Sequence, residues 1–178
     1  MLTTVPTLQT ARLTLRPPAT KDWPAFRDFM QSDRAAHFHQ QGNLGAIWRG
    51  FAAELGHWEI FGYGMWTVTR NGDDTALGLI GPWTPPDWPE TEIGWMIFDA
   101  ATEGTGIASE AARASLTHAF DVLGWATAVS YIAPDNARSI ALAERLGAVR
   151  DPDALRPANS PDSAVWRHRS PASTGDAS

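Results

Sequence analysis

The chain has 178 residues, 43% hydrophobic and 19% charged, a composition that fits a globular protein and excludes a disordered one. A formal charge of −6 offers no basic footprint for a general nucleic-acid binder, although backbone N–H groups could still hold a small anion locally. The absence of cysteine removes disulfides, thiolate metal sites and covalent cysteine chemistry, and a single lysine, Lys21, leaves no Gly-Lys-Ser/Thr phosphate loop.

The opening MLTTVPTLQTARL holds no basic segment followed by an apolar stretch, so no secretory signal is expected. No run reaches the ~18 apolar residues of a membrane span, and the expectation is a cytoplasmic protein without a membrane partner. Leu13 and Leu15 alternate with Thr14 and Arg16, predicting a short strand ended by Pro17 and Pro18. Thr20 is placed as the N-cap of a helix with Trp23, Phe26, Phe29 and Met30 on its apolar positions. Residues 32–45 read as a loop. AIWRGFAAELGHW reads as a second helix with Ile47, Trp48, Phe51, Leu55 and Trp58 on one broad face.

The period then changes. MWTVTR and ALGLIG form a hairpin around RNGDD, and PWTPPDWPE, with four prolines, is a surface loop. TEIGWMIF is apolar on both faces, as a buried central strand would be. Ala108, Ala111, Ala112, Leu116, Ala119, Phe120 and Leu123 recur at helical spacing, and that helix ends near Gly124. WATAVSYIA is a strand, Asn136 to Leu146 a helix stopped by Gly147, and AVWRHR a closing strand. Without repeats or a long linker, residues 1–169 are expected to form one domain and 170–178 a disordered tail. The sum is an α/β (α+β) domain with a mostly antiparallel sheet and one late strand–helix–strand crossover.

Gly104-Thr105-Gly106 stands where that crossover enters its helix. Glycines there let the backbone approach a ligand, and the first N–H groups of a helix favour an anion; the plain alternative is a turn that only starts the helix. A dinucleotide fingerprint fails because Ser109 occupies its third glycine position and Asp121 falls within the helix rather than at a strand end. A pyrophosphate site of another type remains.

EIGWMIF, EGTGIASEAARASL and YIAPDNARSIALAERLGA, in that order, resemble the GNAT acetyltransferase superfamily, in the branch of ribosomal-protein N-terminal acetyltransferases. The opening TARLTLRPPATKDWPAF is similar to that branch's first strand and helix, so the likeness covers most of residues 8–150. The resemblance implies a sheet of about six to seven strands flanked by helices and splayed between two central strands. It implies acetyl-CoA as cosubstrate and no metal, with the pyrophosphate on the loop formed by Glu103, Gly104, Thr105, Gly106, Ile107 and Ala108, followed by Ser109. The pantetheine arm would lie between strands 91–98 and 125–132, with Met96, Ile97 and Phe98 bordering it. Asn136 and Ser139 match an Asn-x-x-Ser motif near the sulfur end, and a homodimer is allowed. Three positions depart from the pattern: Glu103 replaces Gln or Arg, Thr105 stands where a basic residue is common, and Ala143 replaces a Tyr that protonates the leaving thiolate.

The implied reaction is direct acetyl transfer to a primary amine, a protein N-terminus or a small amine, and a non-catalytic acyl-CoA sensor is the alternative. Glu92 is the candidate base, against a plain strand-end carboxylate. Asn136 is both an orienting residue and an N-cap candidate, and Ser139 is the candidate acid, against a helix hydroxyl bonded to a carbonyl. Arg138 or Arg113 is placed near a CoA phosphate. Trp83 and Trp88 are candidates for the acceptor wall, whereas Trp23, Trp48, Trp58 and Trp95 are read as core. His37 and His39 form a His-x-His pair read as solvent or substrate-loop residues rather than metal ligands.

Overall fold

Leu13 and Leu15 are fully buried on one face of β2 (Leu13–Arg16), the arrangement their alternation with polar residues requires. The structure, a computed structural model, describes residues 4–38 and 43–171. Preceding β2 is a two-residue edge strand, β1 (Leu8–Gln9), that the sequence did not signal. Helices α1 (Trp23–Met30) and α2 (Leu44–Phe61) follow, then the hairpin β3 (Trp66–Arg70) and β4 (Gly78–Trp83), then β5 (Glu92–Ile97). Next come α3 (Ile107–Asp121), β6 (Thr127–Ile132), α4 (Ala137–Arg145), a second two-residue strand β7 (Val149–Arg150) and β8 (Ala164–Arg169). The sheet order is β1-β2-β3-β4-β5-β6-β8-β7, and only the β5/β6 pair is parallel. This is the mixed, mostly antiparallel sheet expected, with α3 as its crossover.

The two faces of the sheet carry different helices. Phe26, Phe29 and Met30 of α1 and Ile47 and Phe51 of α2 pack with Leu79 and Met96 on one side. Ile107, Ala111 and Ala112 of α3 pack with Leu13, Leu15, Val68 and Ile80 on the other, where alanines let the helix lie close to the strands.

Four sequence expectations change. Thr20 does not cap a helix; it opens a 3₁₀ turn over Thr20–Asp22, and α1 starts after Asp22. The Asp22 carboxylate accepts two bonds from Arg16, one from Thr67 Oγ1 at 2.8 Å and one from Ala19 N–H at 2.9 Å, so it anchors α1 to β2 and β3. Trp48 is 59% exposed rather than core, because the buried stripe of α2 runs through Ile47, Phe51, Glu54 and Trp58 and the next residue sits about 100° further round. Strand β4 continues into the expected loop through Pro82 and Trp83. Proline is tolerated there because β3 begins at Trp66, opposite Ile80, so that Pro82 lies beyond the β3/β4 ladder. Of the expected tail, Ser170 is buried and its N–H bonds to the Ala126 carbonyl at 3.1 Å, and residues 172–178 lie outside the described residues.

Candidate active site

Strands β5 and β6 are in register at one position, Glu92 opposite Val129, with the Val129 N–H on the Thr91 carbonyl at 2.9 Å. Beyond it the strands diverge. A parallel ladder would continue at Trp95 and Ile97, so those backbone groups are turned to the opening without a strand partner. Two carbonyls on this side are taken by side chains: Ile93 accepts from Ser130 Oγ at 2.7 Å and Ile97 from Arg34 Nη2 at 3.0 Å. Two cavities of about 410 and 390 Å³ occupy the opening and meet at His37, Phe38, Trp95, Met96, Asn136 and Ser139.

The larger cavity is lined by a glycine turn, a helix start and arginines. Gly104 and Gly106 have φ of 72° and 81°, left-handed values that a side chain at either position would strain. They carry the chain into α3, whose first helical bond runs from Glu110 N–H to the Gly106 carbonyl. The N–H groups of Ile107, Ala108 and Ser109 therefore precede the helical ladder, beside Ala108 and Ser109 on the cavity wall. Arg34, Arg138 and Arg145 line the same cavity. Glu103 does not confront an anion bare: its Oε1 pairs with Arg34 Nη1 at 2.6 Å and with Arg138 Nη1 at 2.7 Å. Partial burial works against its ionisation, but the two arginines outweigh this and hold its carboxyl below the ordinary range. Four ionised groups at this wall thus sum to a positive balance.

The smaller cavity is acidic and aromatic. Glu92 is 8% exposed; burial pushes its carboxyl up to about 7, while bonds from Trp88 and from the Tyr131 N–H pull it back. The Trp88 indole N–H donates to Glu92 Oε2 at 2.5 Å and the Tyr131 N–H to Oε1 at 3.3 Å. Trp83 stacks on His57 at 4.9 Å. The His57 ring is fixed neutral, with Nδ1 on the Tyr63 carbonyl at 2.6 Å and Nε2 accepting from Thr84 N–H at 3.0 Å. The segment entering β5 is held by Arg167, which grips Glu90 with both Nη atoms at 2.7 and 2.9 Å and Asp151 with Nε at 2.6 Å.

At the junction, Asn136 Oδ1 caps α4 by accepting the Ser139 N–H at 3.2 Å. Ser139 Oγ accepts the Trp95 indole N–H at 3.1 Å, which leaves its own hydrogen free for the cavity.

The structure thus brings Glu92, Trp83, Trp88, Met96, Ile97, Gly104, Gly106, Ala108, Ser109, Asn136, Arg138 and Ser139 to the two cavities. The side chains of four expected residues line neither cavity. Phe98 packs on Phe26 and Phe29, Ile107 is core, Thr105 turns its hydroxyl to the Thr102 carbonyl, and Arg113 bonds the Arg145 carbonyl. Trp88 is more than a wall, since it fixes a carboxylate, and Trp95 is half-buried at the cavity rather than core. The sequence reading missed Arg34, Arg145 and Glu54, which are brought to the site from α1's following turn and from helices without any local motif. His37 reaches Asp135 at 3.6 Å, and His39 lies outside the described residues. Among the described residues no group of three metal-ligating side chains occurs, and no helix is long and apolar enough to cross a membrane.

A family model described as the acetyltransferase (GNAT) domain matches residues 12–149. An acetyltransferase from Agrobacterium tumefaciens is 40% identical, with a TM-score of 0.88 over 94% of this chain and 96% of that one. A chain from Vibrio cholerae, named as a ribosomal-protein-serine acetyltransferase, is 20% identical, with a TM-score of 0.75 over 96% and 100%. An aminoglycoside acetyltransferase in complex with coenzyme A is 15% identical, with a TM-score of 0.71 over 88% and 94%. The last two likenesses are of fold alone.

Proposed function

Because the chain belongs to the acetyltransferase (GNAT) family, we propose that it transfers the acetyl group of acetyl-CoA directly to a primary amine, with Glu92 as general base. The observation that carries this is the position of Glu92: a buried carboxyl near neutral pKa, where β5 and β6 part and on the cavity opposite the anion site. The residues present fit the cosubstrate. Gly104, Gly106 and the free N–H groups of α3 would hold its pyrophosphate, with Arg34, Arg138 and Arg145 supplying positive charge. Backbone groups at Trp95 and Ile97 would receive the pantetheine arm.

Acetyl-CoA supplies an activated acetyl thioester. The protein's part is positional and protic. Glu92 takes a proton from the incoming ammonium, directly or through water, and the residues shared by the two cavities would align the amine with the thioester. Ser139, its oxygen fixed by Trp95, is assigned the proton for the leaving thiolate. A thiol pKa of about 8.5 makes that assistance modest, so the absence of a tyrosine at Ala143, a fully buried core residue, is compatible with turnover. The acceptor is a protein N-terminus or a small amine; the first is supported by the likeness of the opening strand and helix to the ribosomal-protein branch.

Thiol release from acetyl-CoA across a panel of amines and peptides tests the reading. Glu92→Gln should lower kcat by about 10²–10⁴-fold with acetyl-CoA affinity retained. Tight acetyl-CoA binding without turnover on any acceptor would instead support a non-catalytic sensor, the reading that Ala143 favours.

A further inference from the structure

Glu54 belongs to the acceptor cavity but not to the chemistry assigned above. It projects from α2, is 5% exposed and lines the cavity that Glu92 also lines, while its Oε2 finds no hydrogen-bond partner. A buried carboxyl left unpaired costs about 1–3 kcal/mol, and more if it is ionised, whereas a leucine or methionine on the same helical stripe would pack without that cost. Its neighbours on the stripe, Ile47, Phe51 and Trp58, are such residues.

The charge pattern of the two cavities is polarised. Arg34, Arg138 and Arg145 all line the cofactor side; among the described residues the acceptor side has no arginine or lysine on its wall, shares His37 with the cofactor side, and has three carboxylates, Glu54, Glu92 and Asp87. Trp83 and Trp88, whose ring faces attract cations, stand among them. Asp87 is exposed, while Glu54 and Glu92 are both buried. An incoming cation would therefore meet one carboxylate outside and two within. A single ammonium, poised to lose its proton to Glu92, leaves Glu54 without a partner.

We infer that the acceptor is a small amine carrying a second positive charge, and that Glu54 binds that second charge. The inference rests on the acceptor reading of this cavity and adds the substrate class. The volume of about 390 Å³ suits a small molecule whose length lets one nitrogen reach Glu92 while the other reaches Glu54. Glu54 then acts as a specificity residue: it binds the end of the substrate that does not react. Burial and the charge of Glu92 push the free carboxyl of Glu54 up to about 8, and a bound dication would favour ionisation of both groups.

Calorimetry at neutral pH, with α,ω-diaminoalkanes from putrescine upward and n-alkylamines of the same lengths, tests this. The wild-type protein should bind its best diamine about ten-fold or more tightly than the matching monoamine, as a charged hydrogen-bonded pair implies. Glu54→Gln should lower diamine affinity to that of the matching monoamine and so abolish the preference, and Glu54→Met, which keeps the volume, should do the same. Equal affinities in the wild type, or a diamine preference that survives both substitutions, overturns the inference. Thiol release on adding acetyl-CoA to the same samples judges the transfer reading separately, since the diamine comparison requires no turnover.

Discussion

The Trp88 indole N–H lies 2.5 Å from Oε2 of Glu92, so a loop tryptophan four residues upstream holds the carboxylate proposed as base. Burial alone would drive this carboxyl towards its neutral form, and the indole bond stabilises the ionised one. Trp88→Phe keeps an aromatic ring and removes the donor. The alkaline-rising limb of the kcat/KM profile should then move to higher pH by about one unit or more, the worth of a hydrogen bond to a charged group. An unmoved limb would show that Glu92 is not the titrating base.

Arg34 and Arg138 share Glu103, which pins both cations at the cofactor wall but offsets part of their charge. Replacing both by alanine should raise the acetyl-CoA KM about ten-fold or more and flatten its dependence on salt. Glu103→Gln releases the arginines and should leave that KM unchanged or lower it. If Glu103→Gln weakens binding as much as the loss of the arginines, the ion pairs of Glu103 orient them and this outweighs the positive charge it offsets.

Glu54 and Glu92 have folded-state pKa values raised above their unfolded range, to about 8 and about 7. Their contribution to stability is therefore fully present below about pH 4.5 and is lost as pH rises through 7 and 8. The wild-type melting temperature should fall across that window, and Glu54→Gln should remove part of the fall, on the order of a few kcal/mol, without changing stability near pH 4.5. Parallel wild-type and variant melting curves from acid to pH 9 would contradict the burial of an ionisable Glu54.

His168 has the opposite sign. It is 3% exposed and burial pushes it down to about 4, while its Nε2–H donates to Ser130 Oγ at 3.1 Å, an oxygen whose own hydrogen is on the Ile93 carbonyl. Its contribution is present above about pH 6.5 and is lost as pH falls through 4, up to about 3 kcal/mol. His168→Gln should flatten the acid limb of unfolding free energy measured in urea. The chain Ile93–Ser130–His168 spans the splayed strands, so acid should also loosen the site, read as a parallel loss of acetyl-CoA affinity.

The local code was legible without coordinates. Alternation at Leu13 and Leu15, the period of the apolar residues in α1 and α3, and Asn136 ahead of α4 each follow from interactions within a few residues of chain. So did the Gly104/Gly106 turn, because a left-handed backbone feeding a helix requires glycine there. What the sequence could not determine depends on partners far along the chain. Trp48 is exposed where a core place was expected, and Glu54, which no local pattern singled out, is buried, because the facing sheet, not the count of apolar residues, decides which stripe of α2 is covered. Glu103 looked unfavourable until Arg34, 69 positions earlier, and Arg138, 35 later, closed on it. Periodicity reports which residues want burial, but only packing reports which charges meet. That is why the fold was readable from the chain, while the acidic cavity had to be assembled by α2, β5 and the loop between β4 and β5.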